Sequence, residues 1–285
     1  MRLVTYMSPG EMALAGVVVD EKVFSLQPAG FPTVLSVIAG GPAARASIES
    51  YLKAVPAAAS KDLTRVVLLA PIPKPPKLIC VGLNYRDHAA EAKMEIPEVP
   101  TIFSKFNTAI TGPGAPIILP RNSTKPDYEA EFAFVIGAGG RHIAADRWRE
   151  HVFGYMCLND VSARDFQLAT SQWLMGKTFD TFAPCGPWLT SADEIDDPHN
   201  LTIRLTINGE TMQDSSTSHL IFGIPALIEF LSSAFTLEPG DIITTGTPAG
   251  VGFSKKPPRW LRPGDDVVVE IEGLGQLRNP VVAEV

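Results

Sequence analysis

The chain has 285 residues, 45% of them hydrophobic and 19% charged, which is enough to bury a large core and too apolar for a disordered segment. Its formal charge is −7 and its longest basic run is Lys255-Lys256, which excludes the electrostatic footprint of a nucleic-acid or anionic-membrane binder and points to a small-molecule partner. No apolar run reaches the roughly 18 residues of a membrane span. Pro9, Gly10 and Glu11 interrupt the stretch where a signal peptide carries its apolar core, so the chain is expected to be cytoplasmic.

Residues 1–69 read as a small α+β domain, with short strands in MRLVTYM and AGVVVDEKVFSL and helical patterning through PTVLSVIAG and ARASIESYLKAV. The prolines of APIPKPPKLIC suit neither a regular helix nor a central strand, and make residues 70–76 an extended connector. From 77 to 285 short β-like runs alternate with Pro and Gly turns: KLICVGLNY, APIILP, EAEFAFVIG, FGYMCLND, CGPWLTS, LTIRLTING, DIITTGTP and DDVVVEIEG. One segment in this part has clear helical periodicity. In GIPALIEFLSSAF, Ile224, Leu227, Ile228, Leu231 and Phe235 share a face, Pro225 suits the first turn, and Pro239-Gly240 follows the end. The fold class is α+β with a larger, strand-built domain. Cys80, Cys157 and Cys185 lie far apart in apolar contexts with neither metal-ligand spacing nor a disulfide pattern, and are expected to be buried thiols.

DYEAEFAFVIG, residues 127–137, carries the chemistry. On a strand, alternation turns Asp127, Glu129 and Glu131 to one face and Ala130, Phe132, Phe134 and Ile136 to the other. Two unit charges about 5 Å apart repel by about 3 kcal/mol at an effective dielectric of about 20, so a positive group is expected against this face. Asp160, at the end of the apolar run GYMCLND, adds a third hard oxygen ligand to Glu129 and Glu131. With no Cys or His at ligand spacing, Mg²⁺ or Mn²⁺ suits the set, with Ca²⁺ as a further candidate, over Zn²⁺. His88 and Glu91 are three apart, so on a helical turn they share a face and can hydrogen-bond. Gly246, ending the run DIITTG, lets the chain approach a ligand closely, and Thr247 offers its hydroxyl.

CVGLNYRDHAAE, DYEAEFAFVIG, NDVSARDFQ, GKTFDTFAP and GDIITTGTPAGVG, in that order, resemble the fumarylacetoacetate hydrolase family over residues 77–285. The resemblance implies a mixed β-roll catalytic domain, a homodimer, and a divalent metal held by Glu129, Glu131 and Asp160, with Asp127 behind the site or on the surface. It implies that Lys177 stabilises enolate charge, that Arg164 and Gln167 touch substrate, and that His88, oriented by Glu91, deprotonates water from a lid spanning AAEAKMEIPEVP. Acylpyruvate-cleaving relatives have Arg where Leu83 stands, which leaves Arg86 to bind a substrate carboxylate. His142, His151, His199 and His219 match no motif. The leading expectation is a metal-dependent hydrolase cleaving the carbon–carbon bond of acylpyruvate-type 2,4-dioxo acids. The alternatives are an oxaloacetate decarboxylase or a keto–enol tautomerase or isomerase of 2-oxo acids, then a sugar-acid hydrolase, dehydratase or lyase, then a binding scaffold without turnover.

Overall fold

The computed structural model describes residues 1–8 and 10–285; Pro9, used above as an interruption of the first apolar stretch, lies outside them. A 12-stranded mixed sheet forms the backbone of the molecule. Its path runs from Lys61–Asp62 through Lys22–Ser25, Leu14–Val19, Arg2–Met7, Ala183–Ser191, Val152–Asn159, Ala130–Ile136, Ile242–Thr244 and Leu78–Gly82 to Thr101–Ser104, and Val67–Leu69 beside Arg2–Met7 and Ile110–Thr111 beside Ala183–Ser191 complete the twelve. A five-stranded sheet, in the order Glu210–Ser216, Thr202–Ile207, Asp266–Ile271, Gly275–Ala283 and Ile117–Leu119, packs against it.

The strand Ala130–Ile136 is buried along its whole length because both of its faces are covered. Phe132, Phe134 and Ile136 enter a core shared with Ile203, Leu205, Val267 and Val269 of the smaller sheet and with Leu227 and Leu231 of the helix Ile224–Ala234. Ala133 and Val135, of opposite parity, enter a second core with Val34, Val37 and Ile38 of the N-terminal helix. That helix, Val34–Ala54, starts at a Thr33–Ser36 capping box and breaks at Gly41, just before Pro42, so the two helical stretches expected from the sequence lie end to end across a kink.

All eight β-like runs of residues 77–285 contain strands, and in the expected amphipathic helix Ile224, Leu227, Ile228 and Leu231 are buried. The strands not anticipated include Thr101–Ser104, Glu210–Ser216 and Gly275–Ala283. Cys80, Cys157 and Cys185 are buried and free. The division into 1–69, 70–76 and 77–285 is kept as a proposal about organisation. Hydrogen bonding crosses it, since Arg2 pairs with Thr190 and Leu3 with Leu189. No helix among the described residues is long and apolar enough to cross a membrane.

Phe134 is fully buried between the two sheets. Phe134→Ala should cost about 3–5 kcal/mol of unfolding free energy in urea titrations, and a loss below about 1 kcal/mol would contradict its place at the centre of the core.

Candidate active site

Antiparallel register assembles the acidic cluster. Ala130 pairs with Asn159 and Glu131 with Leu158. Just beyond this ladder Glu129 and Asp160 stand side by side, the Asp160 N–H donating to the Glu129 carbonyl at 2.9 Å. On the other edge Ala133 pairs with Thr244, which carries the chain on to Gly246, whose N–H donates to Glu131 Oε2 at 3.0 Å. One carboxylate oxygen from each of Glu129, Glu131 and Asp160 lies within 4.8 Å of the others, and all three residues are buried.

Asp127 departs from the single acidic face expected for residues 127, 129 and 131. Pro126–Asp127 pairs with Ser162–Ala163 in a separate two-stranded ladder, and the long strand starts only at Ala130. The Asp127 carboxylate therefore turns elsewhere: it accepts from the N–H groups of Gly252 at 2.8 Å and Phe253 at 3.0 Å, and from Arg164 Nε at 2.8 Å.

Three buried cations meet these acids. Lys177, ending the short helix Leu174–Lys177, donates to Glu129 Oε2 and Asp160 Oδ2, both at 2.7 Å. Gly176 allows this, because a Cβ there would lie 2.4 Å from the backbone nitrogen of Gln167 on the neighbouring helix. Arg164 Nη2 reaches Glu129 Oε1 at 2.6 Å, and its Nη1 donates to Gln167 Oε1 at 2.9 Å. The third cation, Lys105, donates to the Asp160 carboxylate and, at 3.0 Å, to the Val161 carbonyl. Sequence reasoning missed Lys105, since a lysine in TIFSKFNTA carries no local sign that it is buried. It also missed Gln213, whose Oε1 accepts from Ala130 N–H at 2.9 Å while its Nε2 donates to Thr247 Oγ1 at 2.8 Å.

Four buried carboxylates, Asp127, Glu129, Glu131 and Asp160, thus face three cations, Lys105, Arg164 and Lys177. Glu131 is the one acid of the four with no cation at ion-pair distance among the described residues. Burial pushes it well above the usual carboxylate range, and the charges of Asp160 and Glu129 add to the effect. Burial also opposes ionisation of Glu129, but Lys177 and Arg164 outweigh it and hold that carboxyl at about 2. Lys177 in turn is raised above the ordinary lysine value, burial being overcome by Asp160 and Glu129. A set of oxygen ligands with one carboxylate short of a counter-charge fits a hard divalent cation such as Mg²⁺ or Mn²⁺.

The short helix Arg86–Ala92 carries His88 and Glu91 on one face, with His88 Nδ1 3.4 Å from Glu91 Oε2, beyond the usual hydrogen-bond range. Both Glu91 oxygens accept from the Gly250 N–H at 3.1 Å. Burial pushes the Glu91 carboxyl up, but His88 and the Gly250 N–H more than offset this and hold it below the usual value. The expected substrate contacts are already engaged within the protein. Arg86 donates to the carbonyls of Leu220 and His219, Arg164 and Gln167 bond each other, and Gly246 and Thr247 are tied to Glu131 and Gln213.

The family model described as fumarylacetoacetate (FAA) hydrolase C-terminal matches residues 77–282. Among curated proteins, the mitochondrial oxaloacetate tautomerase Fahd2a of Rattus norvegicus is 44% identical over 99% of this chain and 92% of its own. The mitochondrial oxaloacetate tautomerase fahd2 of Xenopus laevis is 50% identical over 77% of this chain and 69% of its own. Among solved structures, the maleylpyruvate hydrolase of Sphingobium sp. SYK-6 in complex with manganese(II) and pyruvate superposes with a TM-score of 0.85 at 30% identity over 100% of both chains. The 5-carboxymethyl-2-hydroxymuconate delta-isomerase of Mycobacterium smegmatis gives 0.80 at 37% identity, again over 100% of both.

Because the folded value of Glu129, about 2, lies below its ordinary 4.5, its ionisation stabilises the fold above pH 4.5, and that contribution is lost as pH falls toward 2. In urea titrations of metal-free protein at about pH 6 and about pH 3, Glu129→Gln should lose less stability over the interval than wild type. An equal loss would show that Lys177 and Arg164 do not hold this carboxylate ionised.

Proposed function

We propose, for a chain that belongs to the fumarylacetoacetate hydrolase family, that the buried carboxylate cluster is the divalent-metal site of an enzyme interconverting the keto and enol forms of a 2-oxo acid, with oxaloacetate as substrate. The observation that carries the reading is the cluster itself: three hard oxygen ligands with a buried lysine ammonium bridging two of them. Oxaloacetate tautomerases at 44% and 50% identity support the choice among reactions, and move enolisation ahead of the carbon–carbon hydrolysis that the sequence alone put first. The homodimer and the cytoplasmic location expected from the sequence belong to the same proposal; the relatives named above are mitochondrial by name.

A divalent ion held by Glu129, Glu131 and Asp160 would supply Lewis-acid polarisation of the substrate's 2-oxo oxygen. Lys177 contributes a compact positive charge in a buried setting, where it stabilises the negative charge that grows on that oxygen as C3 loses a proton. Glu91 faces the imidazole of His88 across 3.4 Å, and closing that gap would fix Nδ1–H toward Oε2 and leave the lone pair on Nε2. Nε2 would then take the C3 proton as a proton is delivered to the 2-oxo oxygen, and the reverse transfer would regenerate the keto form. Burial of the acids and of all three cations keeps bulk water away from the oxygen that becomes charged.

Hydrolysis is the second reading, favoured by the same His88–Glu91 pair and by the likeness to a maleylpyruvate hydrolase. There His88 Nε2 would take its proton from water instead of from C3.

Purified protein with Mn²⁺ or Mg²⁺ should accelerate the decay of enol-oxaloacetate absorbance, and EDTA or Glu129→Ala should abolish the effect. His88→Ala should slow it by about 10²–10⁴-fold. Full turnover in EDTA would rule out the metal reading, and cleavage of acetylpyruvate with oxaloacetate untouched would put hydrolysis first.

A further inference from the structure

We infer that Asp127 is a positioning residue: through the turn at residues 250–253 it couples the cation ligand Glu129 to Glu91, so that loading of the acidic cluster steadies the helix Arg86–Ala92. The inference rests on the reading of that cluster as a metal site. The link is continuous. Arg164 spreads its fork over three partners, Nη2 to Glu129 Oε1 at 2.6 Å, Nε to Asp127 Oδ2 at 2.8 Å, and Nη1 to Gln167 Oε1 at 2.9 Å. Asp127 uses both oxygens on the turn as well, accepting from Gly252 at 2.8 Å and Phe253 at 3.0 Å. Two residues earlier, the Gly250 N–H holds both oxygens of Glu91 at 3.1 Å. Tyr128, between Asp127 and Glu129 in the chain, donates its hydroxyl to the Gly250 carbonyl at 3.1 Å and fixes the turn from a second side.

A planar guanidinium has no soft torsion among its donors, so a shift of Glu129 moves Asp127 with it. The turn is equally constrained. Gly250 has φ +102° and a Cβ there would lie 2.2 Å from the Met212 carbonyl oxygen; a Cβ on Gly252 would lie 2.0 Å from the Arg259 carbonyl oxygen and 2.5 Å from Asp127 Oδ1. Side chains at either position would push the turn off its two carboxylates. Asp127 lies outside the cluster of three carboxylates that can hold an ion, which separates its role from that of a ligand.

The test is amide hydrogen exchange across residues 86–93, with and without Mn²⁺, alongside calorimetric titration of Mn²⁺ itself. In wild type, Mn²⁺ should slow exchange of this segment about tenfold. In Asp127→Asn, whose amide must present a donor either to Arg164 or to the turn, Mn²⁺ should still bind while the slowing drops below about twofold. Glu91→Ala cuts the other end of the link without touching the buried cluster and should give the same result, even if Asp127→Asn folds poorly. Binding of Mn²⁺ with no slowing in wild type, or with equal slowing in the variants, overturns the coupling alone. No heat of Mn²⁺ binding in wild type overturns the metal reading and the coupling with it.

Discussion

Four carboxylates taken out of water at one end of a strand set the terms for everything around them. An ionised carboxylate that leaves water carries a penalty of several kcal/mol unless charge and hydrogen bonds are returned to it. Here they return from widely separated parts of the chain: Lys105 after one strand, Arg164 and Lys177 on two short helices, and the Gly246 N–H after another strand. Each arrives at the rim of the central strand Ala130–Ile136, whose flanking strands bring their ends to the same place. The apolar cores on both faces of that strand give the rigid floor on which three side-chain oxygens stay within 4.8 Å of one another.

This arrangement favours the chemistry of an enolate over any one reaction name. On the proposed reading the buried groups provide positive charge next to an oxygen that becomes negative, a requirement common to tautomerisation, decarboxylation and carbon–carbon cleavage of 2-oxo acids. In the proposed mechanism tautomerisation and hydrolysis differ in the atom from which His88 Nε2 would draw a proton, C3 or water, whereas decarboxylation needs no such abstraction; His88 stands on the helix Arg86–Ala92.

Much of this was legible in the sequence where the signal was local. The run EAEFAFVIG showed its strand, Ile224 to Leu231 showed their helix, and the carboxylates at 129, 131 and 160, read together from the sequence, do come together in space. Features set by long-range pairing were not. Nothing near Lys105 distinguishes it from a surface lysine until the Asp160 carboxylate arrives from 55 residues away. ETMQDSS lacks clean alternation, because Gln213 sits in it as a buried polar tie between the central strand and Thr247, so its strand went unread. Asp127 looked like one more tooth of an alternating strand, and only the pairing of Pro126–Asp127 with Ser162–Ala163 shows the break.

The pairing of Ala130–Ile136 with Val152–Asn159 on one edge and with Ile242–Thr244 on the other also bears on how the molecule comes into being. The first partner is close in sequence and can form early; the second emerges more than a hundred residues later, and it then pairs in parallel with Leu78–Gly82, which was made long before. Loop closure over such distances is slow. The central strand can therefore be paired on both edges, and its acidic end given the Gly246 N–H, only after residue 246 has been synthesised. A chain stopped short of residue 246 has a Glu131 without its backbone donor, at the point where four carboxylates and three cations share the interior.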